Sequence, residues 1–277
     1  TFIKGCSKCK LYSKVDDAFN HLINNSNKFN IQPNDVTFNS LIDVYVSQKD
    51  MNKVFTTVNL MQKFNIKPDN YTYTTIIKGL NKFSLPENKT DKKNNNETIT
   101  SNNELNLAFK LFNNVKENGI PDEILYNCIM DACLRFNKID KMLEIYKEMC
   151  VNKVKISSIT CGIVIKAYGM MGDTEGAMNI YYKMKEDNIP ISNVTYGCLI
   201  NACIKNNDLD KAFELYENLK KENYEMNTIL YTTLIKAYSR KNNFYKVIEI
   251  FNIMKNSNNS KPNNITYNNV IACCIKC

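Results

Sequence analysis

Histidines, cysteines and clustered carboxylates are the groups with which a chain could do chemistry, and here they are scarce or badly placed for it. Among 277 residues there is one histidine, His21, and no tryptophan. A Ser/His/Asp triad, a His-rich zinc site and a zinc deaminase centre each need histidine at a set position. His21 lies between Asn20 and Leu22 in an Asn-rich stretch and reads as an ordinary helix residue. The eleven cysteines include Cys6-x-x-Cys9 and Cys274-x-x-Cys277, which look like half zinc sites. They stand at opposite ends of the chain, so one four-cysteine site would have to be shared between two molecules. No acidic nuclease cluster, Gly-rich phosphate loop or His-x-Glu with Cys-x-x-Cys is present. The composition therefore argues against a hydrolase, and no catalysis, cofactor, metal or small-molecule substrate is expected.

The net charge of +8 permits an anionic partner without demanding one. No stretch approaches the roughly 20 apolar residues that a membrane-spanning helix needs, so no membrane partner is expected. The chain starts at Thr1 and stops inside a copy of the pattern described next. It reads as a piece of a longer protein whose own N-terminus and targeting segment lie elsewhere.

What positions any functional residue is a repeat. Val36-Thr37-Phe38-Asn39-Ser40-Leu41-Ile42 returns as Tyr71-Thr72-Tyr73-Thr74-Thr75-Ile76-Ile77 and as Ile124-Leu125-Tyr126-Asn127-Cys128-Ile129-Met130. It returns again from Ile159, Val194, Ile229 and Ile265. The steps 36 to 71, 124 to 159, 159 to 194 and 194 to 229 are each 35 residues, and 229 to 265 is 36. Only the step 71 to 124 departs strongly, and it contains the polar run Glu87 to Asn103. A fixed period of this length is the signature of a solenoid.

Each unit carries two amphipathic helical patterns. The first begins at the Thr-aromatic motif. The second spaces its apolar residues on one helix face, as in Met51, Val54, Phe55, Val58 and Met61, or Leu209, Ala212, Phe213, Tyr216 and Leu219. Pro33-Asn34, Pro68-Asp69, Pro121-Asp122 and Pro262-Asn263 close units, with a proline that disfavours helix before it and an Asp or Asn able to cap the helix after it. One helix pair cannot bury its apolar stripe alone, so the units must stack into an all-α superhelical solenoid. The expected organisation is a partial repeat over 1–34, then repeats at 35–69, 70–122, 123–157, 158–192, 193–227 and 228–263, and the first helix of another at 264–277. A disordered Asn/Lys-rich insertion over about 84–103 should sit inside the second repeat. The uncovered apolar face of the last half-repeat could pair two chains, a homodimer produced by truncation rather than by function.

Numbering units from 35, 70, 123, 158, 193, 228 and 264 puts Cys133, Cys203 and Cys274 at position 11, and Cys128 and Cys198 at position 6. A type that recurs at one register position is a packing choice, so these cysteines read as reduced, small apolar fillers in a reducing compartment.

The period, the Val-Thr-Tyr-Asn-Ser/Thr-Leu-Ile type of opening and the Pro-Asp close resemble the pentatricopeptide repeat family over essentially the whole chain. The tetratricopeptide family, with a 34-residue period and a Trp signature, fits less well. The resemblance implies a right-handed superhelix that binds single-stranded RNA, one base per repeat, in a mitochondrion or plastid. The pairs matching the family's code positions 5 and 35 are Asn39 with Asp69, Thr74 with Asp122, Asn127 with Ser157, Gly162 with Ser192, Gly197 with Asn227, and Thr232 with Asn263; Asn268 stands at position 5 of the last helix. Position 2, which the family uses to clamp bases, is Val36, Tyr71, Ile124, Ile159, Val194, Ile229 and Ile265. Position 13 is basic at Lys82, Arg135, Lys205, Arg240 and Lys276, but not at Ser47 or Met170, and could follow a phosphate backbone. The family's code and polarity then imply a core preference for 5′-U-G-C/U-N-A-A-3′.

Each feature has a structural counterpart. Asp or Asn after proline is common cap and turn chemistry, branched residues at position 2 could be packing between repeats, and late basic residues suit the helix dipole. Their joint recurrence in one register favours RNA. The alternative is a tetratricopeptide-like scaffold holding a peptide in its groove.

Overall fold

The computed structural model describes residues 5, 12–25, 32–83 and 95–277, the side chains at 81–83, 95–103 and 118 excepted. Among the described residues there are fourteen helices and no strand. They fall into two compact units, Thr1–Val154 and Lys155–Cys277. The first holds α1 (Tyr12–Asn24), α2 (Asp35–Ser47), α3 (Met51–Lys63), α4 (Asn70–Phe83), α5 (Asn95–Asn118), α6 (Glu123–Arg135) and α7 (Ile139–Val151). The second holds α8 (Ser158–Met171), α9 (Thr174–Glu186), α10 (Asn193–Lys205), α11 (Leu209–Lys221), α12 (Thr228–Arg240), α13 (Phe244–Asn256) and α14 (Asn264–Lys276).

The expected all-α architecture of stacked helix-turn-helix repeats is what each unit shows. First helices pack on their neighbours, α2 on α4 and α4 on α6 in the first unit, α8 on α10, α10 on α12 and α12 on α14 in the second. Each of them up to α12 also packs on the second helix that follows it. The motif explains the packing. The aromatic at position 4 and the apolar pair at positions 7 and 8 point inward, so that Phe38, Leu41 and Ile42, and in the second unit Tyr196, Leu199 and Ile200, are buried. Tyr181 and Tyr216, from the second helices α9 and α11, fill the layer beneath.

The turns follow from asparagine. Among the described residues, six of the eight non-glycine residues with positive φ are Asn65, Asn137, Asn188, Asn207, Asn223 and Asn242, each just after a helix end. Asparagine tolerates the left-handed conformation that terminates a helix and turns the chain. Such a turn lets the N–H of Lys138 reach back to the Cys133 carbonyl at 2.8 Å, and that of Asp208 to Cys203 at 2.9 Å.

Two expectations need correction. The insertion was predicted disordered to about residue 103, yet α5 begins at Asn95; residues 84–94 lie outside the described residues. Leu105, Ala108 and Phe112 anchor α5 in the core. Once those turns exist, adding helical residues costs little, and 95–104 contains no Gly or Pro to stop them. Of the predicted cysteine fillers, Cys133 and Cys203 are buried but Cys274 is exposed, while its neighbour Cys273 is buried. Position 11 faces the second helix of its own repeat, and α14 is followed by none in this chain. Cys6-x-x-Cys9 lies outside the described residues. No disulfide joins cysteines among the described residues. Burial pushes the thiols of Cys128 and Cys203 up to about 11 and that of Cys133 to about 12, which keeps them protonated.

Candidate nucleic-acid interface

In each unit the layer of first helices leaves a face uncovered. At about 100° per residue, positions 2, 5, 6, 9 and 13 of a first helix share its face. All seven position-2 residues, three in the first unit and four in the second, have their apolar side chains exposed, between 53% (Ile124) and 69% (Val194, Ile229). Exposed apolar residues are ordinary when scattered, but the same register position exposed in every repeat is a patterned surface. These residues therefore do not serve as packing between repeats.

Position 35 is the N-cap of the next first helix in every pair. Oδ1 of Asp69 accepts from the Thr72 N–H at 2.8 Å, and Oδ1 of Asp122 from the Leu125 N–H at 2.8 Å. Asn227 and Asn263 do the same for Leu230 and Thr266, both at 2.9 Å. The Ser157 hydroxyl caps Ile159 and Thr160, and that of Ser192 caps Thr195. A cap contributes about 1 kcal/mol, so the structural account of position 35 is correct as far as it goes. It uses only one polar atom of each side chain. Asp69 and Asp122 retain an acceptor oxygen, Asn227 and Asn263 retain a donor NH2, and the serines retain no second atom.

In the first and sixth pairs position 5 lies against the cap. The Asn39 amide donates to Asp69 Oδ1 at 3.5 Å, and Asn39 Oδ1 accepts from the Thr72 hydroxyl at 2.6 Å. Thr232 Oγ1 lies 2.8 Å from Thr266 Oγ1, which in turn bonds Asn263. In these two pairs the threonine three residues after the cap, Thr72 or Thr266, joins the two code positions. Its signal, a cap followed three residues later by Thr, stands in the sequence at Asn34-Thr37, Ser157-Thr160, Ser192-Thr195 and Asn263-Thr266 but was not read as part of the site. Burial pushes the Asp69 carboxyl up, but hydrogen bonds from the Thr72 hydroxyl and N–H and from Asn39 outweigh it and leave the group below the usual value. Gly162 and Gly197 place no side chain here, and a Cβ at Gly197 would meet nothing within 4 Å. Asn127 is buried and within 3.4 Å of Glu123 Oε1. Its pair mate Ser157 belongs to the second unit. Asn268 is exposed.

The second pair forms a cavity. Tyr71, Thr74, Lys78, Asp122 and Ile124 line about 260 Å³, with Asp43, Val46, Thr75 and Gly79 completing it. Two successive position-2 residues, Tyr71 and Ile124, thus share a recess with a code pair, Thr74 and Asp122. Thr74 Oγ1 is buried and has no hydrogen-bond partner among the described residues. A larger cavity of about 900 Å³, lined by Asp16, Tyr45 and Lys53, lies away from this face. Both oxygens of its carboxylate are engaged, by the Tyr45 hydroxyl at 2.6 Å and Lys53 Nζ at 2.8 Å, so it is a structural clasp.

The expected cationic line at position 13 is only partly open. Arg135 pairs with Asp131 at 2.8 Å. Arg240 donates to the Ile204 carbonyl at 2.7 Å, capping the end of α10. Lys205 and Lys276 are exposed, and the Lys82 side chain lies outside the described residues. Among the described residues no group of His, Cys, Asp and Glu could hold a metal, and no helix is long and apolar enough to cross a membrane.

A family model described as "PPR repeat family" matches residues 33–82 and 121–170, and one described as "Pentacotripeptide-repeat region of PRORP" matches 164–277. Among solved structures, the pentatricopeptide repeat protein PPR10 from maize is similar with a TM-score of 0.61 at 20% identity, over 98% of this chain and 35% of that one. PPR10 in complex with an 18-nt psaJ RNA element gives 0.61 at 17% identity, over 99% and 42%. The PPR domain of Arabidopsis thaliana protein-only RNase P 1, in complex with tRNA, gives 0.50 at 12% identity, over 67% and 88%. The chain thus spans 35–42% of the length of the maize chains. At these identities the likeness is one of fold. No curated protein sequence matches.

Proposed function

Because the chain belongs to the pentatricopeptide repeat family, we propose that it binds single-stranded RNA along the exposed face of its first helices. It reads one base per repeat, prefers 5′-U-G-C/U-N-A-A-3′, and acts as a binder of a mitochondrial or plastid transcript, protecting or guiding it without catalysis. The observation that carries this reading is the recess in which Tyr71 and Ile124 flank Thr74 and Asp122. An aromatic ring and a branched side chain can hold the two faces of a base while polar groups meet its edge. That one solved relative holds an 18-nt RNA and another a tRNA supports the same reading.

The caps supply a physical reason for the preferred bases. Asp122 and Asp69 keep an acceptor oxygen beside their cap bond, which suits the ring N–H donors of guanine and uracil. Asn227 and Asn263 spend their oxygen on the helix and offer an NH2, which suits the ring-nitrogen acceptor of adenine. The serine hydroxyls are shared between the cap N–H and the hydroxyls of Thr160 and Thr195 and leave no second polar atom, so the middle of the site should discriminate weakly.

Fluorescence anisotropy with labelled 5′-UGCUAA-3′ in a neutral flank, beside its reversed sequence and its DNA version, tests the proposal. Preference for the forward RNA is expected. Equal binding to all three would reduce the surface to a basic patch, and no binding would favour the peptide scaffold.

A further inference from the structure

Position 9 of the first helices is lysine in alternate repeats, at Lys78, Lys166 and Lys236, and Asp43, Asp131, Asn201 or Ala272 in the others. It lies seven residues after position 2, two helical turns along the same face. All three lysines are exposed, and none has an ion pair or hydrogen bond among the described residues. Lys78 lines the recess of the second pair; Asp43 lines it too but makes no ion pair with Lys78. Lys78 also lies close enough to Cys128, at position 6 of the next first helix, to oppose the upward push of burial on that thiol. Lys166 stands in the same relation to Cys198. The ammonium groups of Lys78 and Lys166 therefore reach across from their own first helices toward the next one, and Lys236 holds the same register position on α12.

We infer that Lys78, Lys166 and Lys236 are backbone contacts that hold the phosphodiester between one base and the next, and that they carry much of the electrostatic binding. The inference rests on the RNA-binding reading above. If successive repeats hold successive bases, the phosphodiester linking them has to pass between neighbouring first helices. That is where Lys78 and Lys166 reach. A position-13 residue lies a further turn away from the code layer, and two of the basic ones, Arg135 and Arg240, are already engaged by Asp131 and the Ile204 carbonyl. An ammonium without a partner gives up no protein contact on binding phosphate, whereas those two must. Alternate spacing predicts firm phosphate contacts after bases two, four and six.

Phosphate contacts and base contacts differ in their salt signature. Each neutralised phosphate on a single strand steepens the fall of log K with log salt by about 0.7. Replacing all three lysines together (K78Q, K166Q and K236Q) should lower that slope by about 2, leave the ranking of forward, reversed and DNA oligonucleotides unchanged, and leave thermal melting unchanged. Arg240→Gln is the comparator and should move the slope by less than one lysine does. If the wild-type chain selects the forward RNA but the triple variant keeps its slope, the lysine assignment is overturned while the RNA reading stands. A variant that instead changes preference at bases two, four or six would make the lysines base readers, which also overturns it. If the wild-type chain binds no RNA, both readings fall.

Discussion

Tyr71→Ala isolates the stacking wall. Tyr71 is 55% exposed, in the first turn of α4, and its ring contributes to no packed aromatic pair among the described residues. Exposed substitutions of this kind change stability by about 0.5 kcal/mol or less, so the fold should be untouched. On RNA the effect should be large. Tyr71 flanks the recess of the second pair and, as the partner of Val36, the first as well, so it stands between bases one and two. Losing a base–aromatic stack costs about 1–3 kcal/mol, which is about 5- to 150-fold in Kd. Ile124→Ala removes a smaller, non-aromatic wall and should cost less. Anisotropy titrations should use 5′-UGCUAA-3′ and a second RNA that is abasic at nucleotides one and two. Tyr71→Ala should weaken the first by the stated factor and barely change the second, whose stacking partners are absent. An equal loss on both RNAs would refute the reasoning, because the tyrosine would then act on the backbone or through the fold. A fall in melting temperature would refute the claim that its ring is structurally idle.

Four further outcomes follow from the same geometry. Replacing Thr232 by Asn and Asn263 by Asp together should move the preferred sixth base from adenine to uracil, read from a set of four oligonucleotides differing there; an unchanged base means the register is wrong. Gly197→Thr enters open space and recreates the pair formed by Thr232 and Asn263, so it should sharpen adenine preference at base five, whereas Gly79→Ala, whose Cβ would lie 2.6 Å from Val46 Cγ1, should cost about 1–3 kcal/mol of stability by urea denaturation. Asp69 has a folded pKa below its unfolded value of about 3.9, so its contribution is full above that value and is lost as pH falls through the folded one. Asp69→Asn keeps the cap, so its stability gap to wild type in urea should shrink from pH 7 to pH 3, and a constant gap would show that the carboxylate charge contributes nothing.

Much of the fold was legible because repetition converts weak local signals into a strong one. A single Val-Thr-Phe-Asn-Ser-Leu-Ile decides little, but its return every 35 residues sets the helix starts, and α8, α10 and α12 begin at 158, 193 and 228, one residue before each copy. The caps were legible too, since Pro-Asp and Pro-Asn announce them. The extension of α5 back to Asn95 was not, because Asn-rich composition reports on burial and not on helix propagated from an anchored neighbour. Of the candidate site, exposure of position 2 is a property of the stack and invisible in any one repeat. The sequence marks Arg240 as a cation but not as an engaged one, because the Ile204 carbonyl comes from the preceding repeat, whereas the pairing of Arg135 with Asp131, four residues back on one helix, is legible in the spacing. The lysines at position 9 share the face of position 2, and a register search at a spacing of seven would have found them.

The same atom accounting ties recognition to folding. A position-35 side chain must cap the next first helix, so its first acceptor belongs to the fold, and only what remains can meet a base. On the RNA reading proposed above, a two-headed residue does both jobs, and which head is left decides whether the site offers an acceptor, from Asp69 and Asp122, or a donor, from Asn227 and Asn263. Serine caps as well as asparagine but has one oxygen, so on the same reading Ser157 and Ser192 preserve the stack and leave no second polar atom for a base. Gly162 and Gly197 do the same from position 5, where no side chain is needed to hold the helix. Across repeats three to five the code residues are thus free to weaken without cost to stability, while the exposed position-2 residues persist at Ile124, Ile159, Val194 and Ile229. Such a surface can still hold a base by its faces when it no longer reads its edge.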